Sequence, residues 1–392
     1  MSKRVILCFD GEWDRPPDPG VWGSSSRTPP KQTLSAAGWE SPPTTNVLQL
    51  YQSILPQASD EGVQQKWYDS GTGLPWFYRF RNGSFGYCLD RTILQGYAYL
   101  AATYEPSDEL FMYGFSRGAY IARSLIGLLN AAGLPSATLL NGDHVRIVRE
   151  AAHTLSPEMV APVHLSECLT RMVLDPCNQA IDEAYRIYRT VQSGTHASGP
   201  VTTRRRGPHD ISVTLLGLWD TVGPLGIPTN ALKWLNEHRY NFRDTELSPI
   251  VQRAYHALAI DEHRADHNAT IWTAPPKAGQ IIEQWWFAGA HGDPGGTYPD
   301  RDLADVPLAW MQQHSINNGL AIEPGRVPEK TNTLSPLHDS FSECFVGVRR
   351  WIHSRFYRPI MQTGTDTEVL DGSVHTRLRR IPCYRPKNEG LN

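Results

Sequence analysis

Four short apolar runs constrain this chain more than any other feature. They are "RVILCFDG" at residues 4–11, "ELFMYGF" at 109–115, "DISVTLLGLWDTVG" at 210–223 and "GQIIEQWWFAGAHGDPGG" at 279–296. Each holds a strand-length apolar stretch, and "RVILCFDG", a short continuous apolar run ending in Asp-Gly, has the pattern of a strand covered on both faces in a parallel sheet. Helix-compatible stretches separate them, so the expected fold is α/β, a mostly parallel sheet flanked by helices. In such sheets ligands bind beyond the carboxyl ends of the strands. The four runs close on Asp10, Ser116, Asp220 and His291.

The stretches between the runs complete the organisation. Residues 14–45 are crowded with Pro, Gly and Ser and predict a long surface loop. "NVLQLYQSIL" has helical spacing, with Asn46 as its expected N-cap, and "QQKWYDSGTGLP" reads as a strand and turn. A helix follows with Leu89, Ile93, Leu94, Tyr97 and Leu100 on one side, and another over "RGAYIARSLIGLLNAAGL" ends at Gly133 and Pro135. Residues 136–208 hold no long apolar strand, contain "NQAIDEAYRIYRTV", and predict a helical cap inserted into a single domain of residues 1–392. "VQRAYHALAIDEHRADH" reads as a helical middle segment and "LADVPLAWMQQHSINNGL" as a helix stopped by Gly319. The tail from about residue 323 is mixed and loop-rich.

Charge and cysteine usage remove several function classes. A formal net charge of −3 excludes a broadly basic nucleic-acid surface, and the run "TTRRRG" reads as a solvated loop. The six cysteines form no CxxC pair, which argues against a zinc ribbon or a disulfide scaffold and for idle thiols in a reducing compartment. The apolar run at the N-terminus stops at Asp10, too short for a secretory signal, and no window approaches the roughly 18 apolar residues of a membrane span. The residues therefore predict a cytoplasmic protein without a transmembrane segment, with delivery by a secretion system still open.

"Gly114-Phe115-Ser116-Arg117-Gly118" matches the G-x-S-x-G elbow, in which small flanking residues let a strained strand-to-helix turn lift the serine hydroxyl above the sheet. With Asp220 and His291 the chain order is Ser, Asp, His, as in α/β hydrolases. In this reading His291 takes the proton of Ser116 and Asp220 holds the imidazole. The oxyanion would meet the backbone N–H of Arg117 and a second N–H near Gly11 and Glu12.

Other assignments compete. Ser116 could be an N-cap and Asp220 a turn cap, while Asp10 is a second-choice acid or a support for its turn. His256, His263 and His267 compete with His291 for the base, but the expected helix makes them ordinary surface or core histidines. "GDPGG" lacks the Lys and Ser/Thr of a phosphate loop. A metal held by Asp10, Asp220, Asp293 and His291 is chemically conceivable but leaves the elbow serine unexplained. No cofactor and no metal ion are expected. Trp13, Trp22, Trp76, Phe77, Trp285 and Trp286 could line an apolar acyl site, although core packing explains Trp285 and Trp286 equally well.

"VILCFDGEWD", "TTNVLQLYQSI", "WYDSGTG", "FMYGFSRGAYIARSLIGLL", "LLGLWDTVG", "HALAIDEHR" and "WWFAGAHGDPGGTY" through "LADVPLAWM" follow one another in an order that resembles the type VI secretion phospholipase effector-like α/β hydrolases. The resemblance runs from residue 4 to about residue 320. It implies an α/β-hydrolase fold, ester hydrolysis, and a triad of Ser116, Asp220 and His291. The chain departs from the family's D-G-T-x-N start, carrying Glu12 and Asp14 instead, and Pro294 stiffens the turn after the histidine. The expected activity is that of a serine hydrolase cleaving carboxylic esters, acyl lipids and phospholipids among them. A biosynthetic esterase or thioesterase, and a non-catalytic hydrolase-fold ligand-binding protein, are the alternatives. The expected partner is a small-molecule or lipid ester, with the oligomeric state open.

Overall fold

The computed structural model describes residues 2–11, 44–58, 60, 62–70, 85–135, 205–206, 211–223, 246–329, 331–345 and 353–391. The expected 14–45 loop apart from its last two residues, the 136–208 cap apart from residues 205–206, Glu12, and the aromatic residues Trp13, Trp22, Trp76 and Phe77 lie outside the described residues.

The apolar runs become neighbours in one sheet. Its strands are β1 (Arg4–Phe9), β2 (Gln64–Asp69), β3 (Glu109–Phe115), β4 (Val213–Trp219), β5 (Arg253–Ala259), β6 (Ile281–Phe287) and β7 (Glu368–Leu370). Every pair is parallel, in the order β2-β1-β3-β4-β5-β6-β7. The helices used below are α1 (Asn46–Ser53), α2 (Phe85–Thr103), α3 (Arg117–Ala132), α4 (Asp305–Asn317) and α5 (Gly372–Arg380).

Alternation along β1 explains why both faces are apolar. Val5, Leu7 and Phe9 join a buried cluster with residues of α2 and α3, while Ile6 and Cys8 join another with Val47 and Leu50 of α1 and Leu308 and Met311 of α4. Each face thus removes its own apolar surface from water, the dominant favourable contribution to folding. A third cluster packs Ile360, Val374 and Tyr384 of the tail onto Leu258 and Trp286, so the loop-rich C-terminal segment closes the far edge of the sheet.

Two expectations are corrected. The N-cap of α1 is Thr45, whose hydroxyl accepts from Leu48 N at 3.1 Å; the Asn46 amide instead donates to the carbonyls of Pro294 and Ala304, each at 2.8 Å. The middle segment is not helical throughout, because "RAYHALA" is β5, paired between β4 and β6. Its alanines and arginine suit a helix in isolation, but the slot is covered on both faces, and burial there outweighs local propensity.

Candidate active site

At Ser116 the chain turns from β3 into α3 with φ 55° and ψ −117°, a backbone state uncommon for a residue with a side chain. The turn is tight enough to require both flanking glycines. A Cβ on Gly114 would stand 2.6 Å from the Ala119 backbone, and one on Gly118 would stand 2.1 Å from the Phe9 carbonyl oxygen. The Ser116 amide donates to Trp219 O at 3.0 Å, which ties the elbow to the end of β4.

Immediately beyond β4, Asp220 takes φ +41° and its amide donates to Ala257 O at 2.7 Å. His291 lies four residues past β6, ahead of the single helical turn Gly292–Gly295. The three side chains converge. His291 Nε2 is 2.9 Å from Ser116 Oγ, and His291 Nδ1 is 2.5 Å from Asp220 Oδ2. Ser116 and His291 retain 7% and 6% exposure, whereas Asp220 has none. The hydroxyl and imidazole therefore sit at the margin of the buried interior, with the acid beneath them.

Asp220 has further partners that sequence reasoning missed. Arg358, fully buried and drawn from the tail, donates through Nη1 to Oδ1 at 2.6 Å and through Nη2 to Oδ2 at 2.9 Å. The Ala259 amide is a second donor to Oδ1, at 3.0 Å. Burial alone would raise the pKa of this carboxyl, but the charges and hydrogen bonds of Arg358 and His291 hold it well below the ordinary carboxylate range. The buried Glu262, three residues past β5, accepts the His291 amide at 3.1 Å. Burial would also raise Glu262, yet Arg264 holds it low and ionised. Asp293 accepts from Ala290 N at 2.7 Å and pairs with His338 at 2.7 Å, which pins the turn after His291. An acid pair directly after an apolar run, "ALAIDE", was the available signal for Glu262; Arg358 has no local signal.

The remaining expected residues fall apart from the triad geometry. Asp10 stands in its own hydrogen-bond set, accepting from the Thr45 hydroxyl, from Tyr68 at 2.5 Å and from the Gly11 amide at 2.7 Å. Burial raises its pKa to about 6 against those three hydrogen bonds. The Gly11 amide, one of the expected oxyanion donors, is thus engaged by the short Asp10 side chain folding back onto it. Gly11 is also a close-packing residue, whose added Cβ would stand 2.8 Å from the Phe115 ring and 3.2 Å from Ser116 Cβ. Arg117, the first residue of α3, keeps its backbone N–H at the positive end of the helix beside Ser116.

Among the competing histidines, His256 lies on β5, where its Nε2 accepts from the Thr221 amide at 3.1 Å. Burial, with Arg123 nearby, lowers its pKa to about 3. His263 donates to the Phe356 carbonyl at 3.1 Å, and the His267 ring stands 5.2 Å from that of His291. Trp286 is core, donating to Glu368 at 2.8 Å, and Trp285 packs against Trp310. Among the described residues no three or more His, Cys, Asp or Glu side chains gather as a metal site, and no helix is long and apolar enough to cross a membrane.

Known proteins resemble this chain to different extents. An uncharacterized protein of Saccharomyces cerevisiae, YEL023C, is 24% identical over 300 residues, which cover 70% of this chain and 33% of the yeast protein. The crystal structure of an uncharacterized protein from Pseudomonas aeruginosa is similar at 16% identity and a TM-score of 0.37, over 82% of this chain and 46% of that one. The structure of the Tle1 effector bound to the VgrG spike of the type 6 secretion system is similar at 15% identity and a TM-score of 0.38, over 76% of this chain and 51% of that one. The chain thus spans a third of the yeast relative and about half of each structural neighbour. Residues 3–314 match the family described as T6SS phospholipase effector Tle1-like, catalytic domain, and the chain belongs to that family.

Proposed function

We propose that the protein is a serine hydrolase that cleaves the carboxylic esters of acyl lipids, phospholipids foremost. The observation that carries this reading is the unbroken hydrogen-bond line from Ser116 Oγ through the His291 imidazole to Asp220. Family membership supports the lipid ester as the substrate class.

In the reaction, Ser116 Oγ attacks the acyl carbonyl carbon while its proton passes to His291 Nε2. His291 Nδ1–H stays bonded to Asp220, which fixes the tautomer and stabilises the imidazolium. The Arg117 amide faces the charge that develops on the carbonyl oxygen. Collapse of the tetrahedral intermediate breaks the bond to the leaving alcohol, which takes the proton from Nε2 and leaves the acyl group on Ser116. A water molecule then gives a proton to Nε2, attacks the acyl carbon and releases the fatty acid, and the proton returns to Ser116.

The test is a panel of phospholipids, short-chain esters and thioesters incubated with the full chain and with Ser116→Ala. Wild type is expected to release fatty acid from phospholipids, and the substitution to lower the rate by at least about 10³-fold. A fluorophosphonate probe is expected to label Ser116 in folded protein. Hydrolysis unchanged by Ser116→Ala would overturn the mechanism.

A further inference from the structure

We propose that Arg358 is a positioning residue of the triad, a buried cation that sets how strongly Asp220 favours the protonated imidazole and hence the pH range of hydrolysis. The inference rests on the serine-hydrolase reading above and adds to it a residue beyond residues 3–314, the stretch that matches the family's catalytic domain.

The geometry assigns the guanidinium to the acid rather than to general packing. Its two terminal nitrogens form a fork on both carboxylate oxygens, the bidentate arrangement that fits a carboxylate best. The same nitrogens donate to the Ala259 carbonyl at 2.7 Å and to the His267 carbonyl, so the fork is held from the end of β5 and from the turn whose histidine faces the His291 ring. The Arg358 carbonyl accepts from the buried Asn388 amide at 3.0 Å, and that amide also donates to Ile260 O at 3.1 Å. The tail is thereby fastened to the sheet on both sides of the cation.

A buried carboxylate beside an imidazole stabilises the imidazolium with its full negative charge when nothing else neutralises it. Here the charge is shared. Oδ2 accepts from both His291 and Arg358, and Oδ1 accepts from Arg358 and Ala259. The Asp220–Arg358 pair is neutral as a unit, so the proton that His291 takes from Ser116 is held less tightly and passes more readily to the leaving alcohol.

The other charged and titratable groups around this pair leave Arg358 as its main modulator. His256, below Thr221 on β5, is neutral through its burial and the nearby Arg123. Glu262 is ionised, and its charge is matched by the Arg264 fork at 2.9 and 3.0 Å. His267 faces the His291 ring edge-on.

The experiment compares kcat/KM against pH for wild type, Arg358→Gln, Arg358→Met and Arg358→Lys, in the full chain on one soluble ester. The low-field Nδ1–H proton resonance of His291 is followed over the same pH range and needs no substrate. In the neutral variants the acid limb and the resonance midpoint are expected to move up together by about one pH unit. Arg358→Lys, which keeps the charge but not the fork, is expected to lower kcat while leaving both within about 0.3 units of wild type. A uniform loss of activity with unmoved limb and resonance would overturn the inference and reduce Arg358 to a structural clamp. If the neutral variants do not fold, a folded Arg358→Lys with the wild-type limb supports the charge role. Failure of all three to fold overturns it. Absence of ester hydrolysis in wild type strikes the functional reading alone, because the resonance still reports on Arg358.

Discussion

The two halves of the site are built by different physics. On the serine side, position is a matter of steric fit: Ser116 is held at φ 55° between glycines whose missing Cβ atoms leave room for the Ala119 backbone and the Phe9 carbonyl. On the acid and base side, position is a matter of charge. The buried Asp220, His291, Glu262 and Arg358 meet with the partly exposed Arg264 in a set in which each carboxylate faces a cation or several donors. A steric device needs only its immediate neighbours, while a charged device collects parts from residues 220, 262, 291 and 358. The first leaves a short motif in the sequence, and the second does not.

The strongest challenge to this contrast is Asp220→Asn. It is expected to cost roughly 10⁴-fold in kcat, because a neutral amide cannot hold the imidazole tautomer or the imidazolium. It also strands the buried Arg358 without its counter-charge, so thermal stability is expected to fall as well. Single-turnover hydrolysis and a melting curve measure the two effects separately. A melting point equal to wild type would show that the Arg358 fork does not depend on the Asp220 charge.

Next in size is Gly118→Ala on the steric side. A methyl group 2.1 Å from a backbone carbonyl oxygen forces β1 and α3 apart. The expected loss is about 3–5 kcal/mol, read from urea unfolding. The acid limb of activity in the protein that remains folded is expected to stay in place, since no charge has changed. A moved limb would join the two halves into one unit.

The smallest effect is a slope. Asp10, beside the elbow, has its pKa raised by burial from 3.8 to about 6. Between those values the native carboxyl binds its proton while the unfolded chain has lost it, so stability falls as pH rises through this window. Asp10→Asn is expected to remove about 2–3 kcal/mol of that fall, measured by urea unfolding at pH 4 and pH 7. Asp261 is likewise raised to about 6 by burial and adds a slope of the same sign, so the test reads the difference between wild type and Asp10→Asn rather than the slope itself. No change in slope would mean that Asp10 ionises as readily in the native protein as in the unfolded chain.

The sheet was legible where strands carried compact apolar stretches. β1, β3, β4 and β6 announce themselves, and the polar residues at or just beyond their ends include the whole Ser116, Asp220, His291 set. β5 was not, because Ala, His and Arg in "RAYHALA" are as compatible with a helix as with a strand. Missing β5 hid Asp261 and Glu262 at its end, and placed His256 on the wrong kind of element. The Asn46 assignment failed by one residue because Thr45 and Asn46 are both capable caps, and only the carbonyls of Pro294 and Ala304 decide which side chain is needed elsewhere.

What the sequence by itself determined is whatever short-range rules govern: runs of buried strand, the glycine-flanked turn, and the placing of Ser116, Asp220 and His291 at or beyond strand ends. What only the tertiary structure decided is which charges meet. The side chain that completes Asp220 comes from 138 positions away in a segment without a periodic pattern. Its role arises from burial, where an unpaired carboxylate is costly and a matching guanidinium must be supplied from whatever part of the chain the fold brings near.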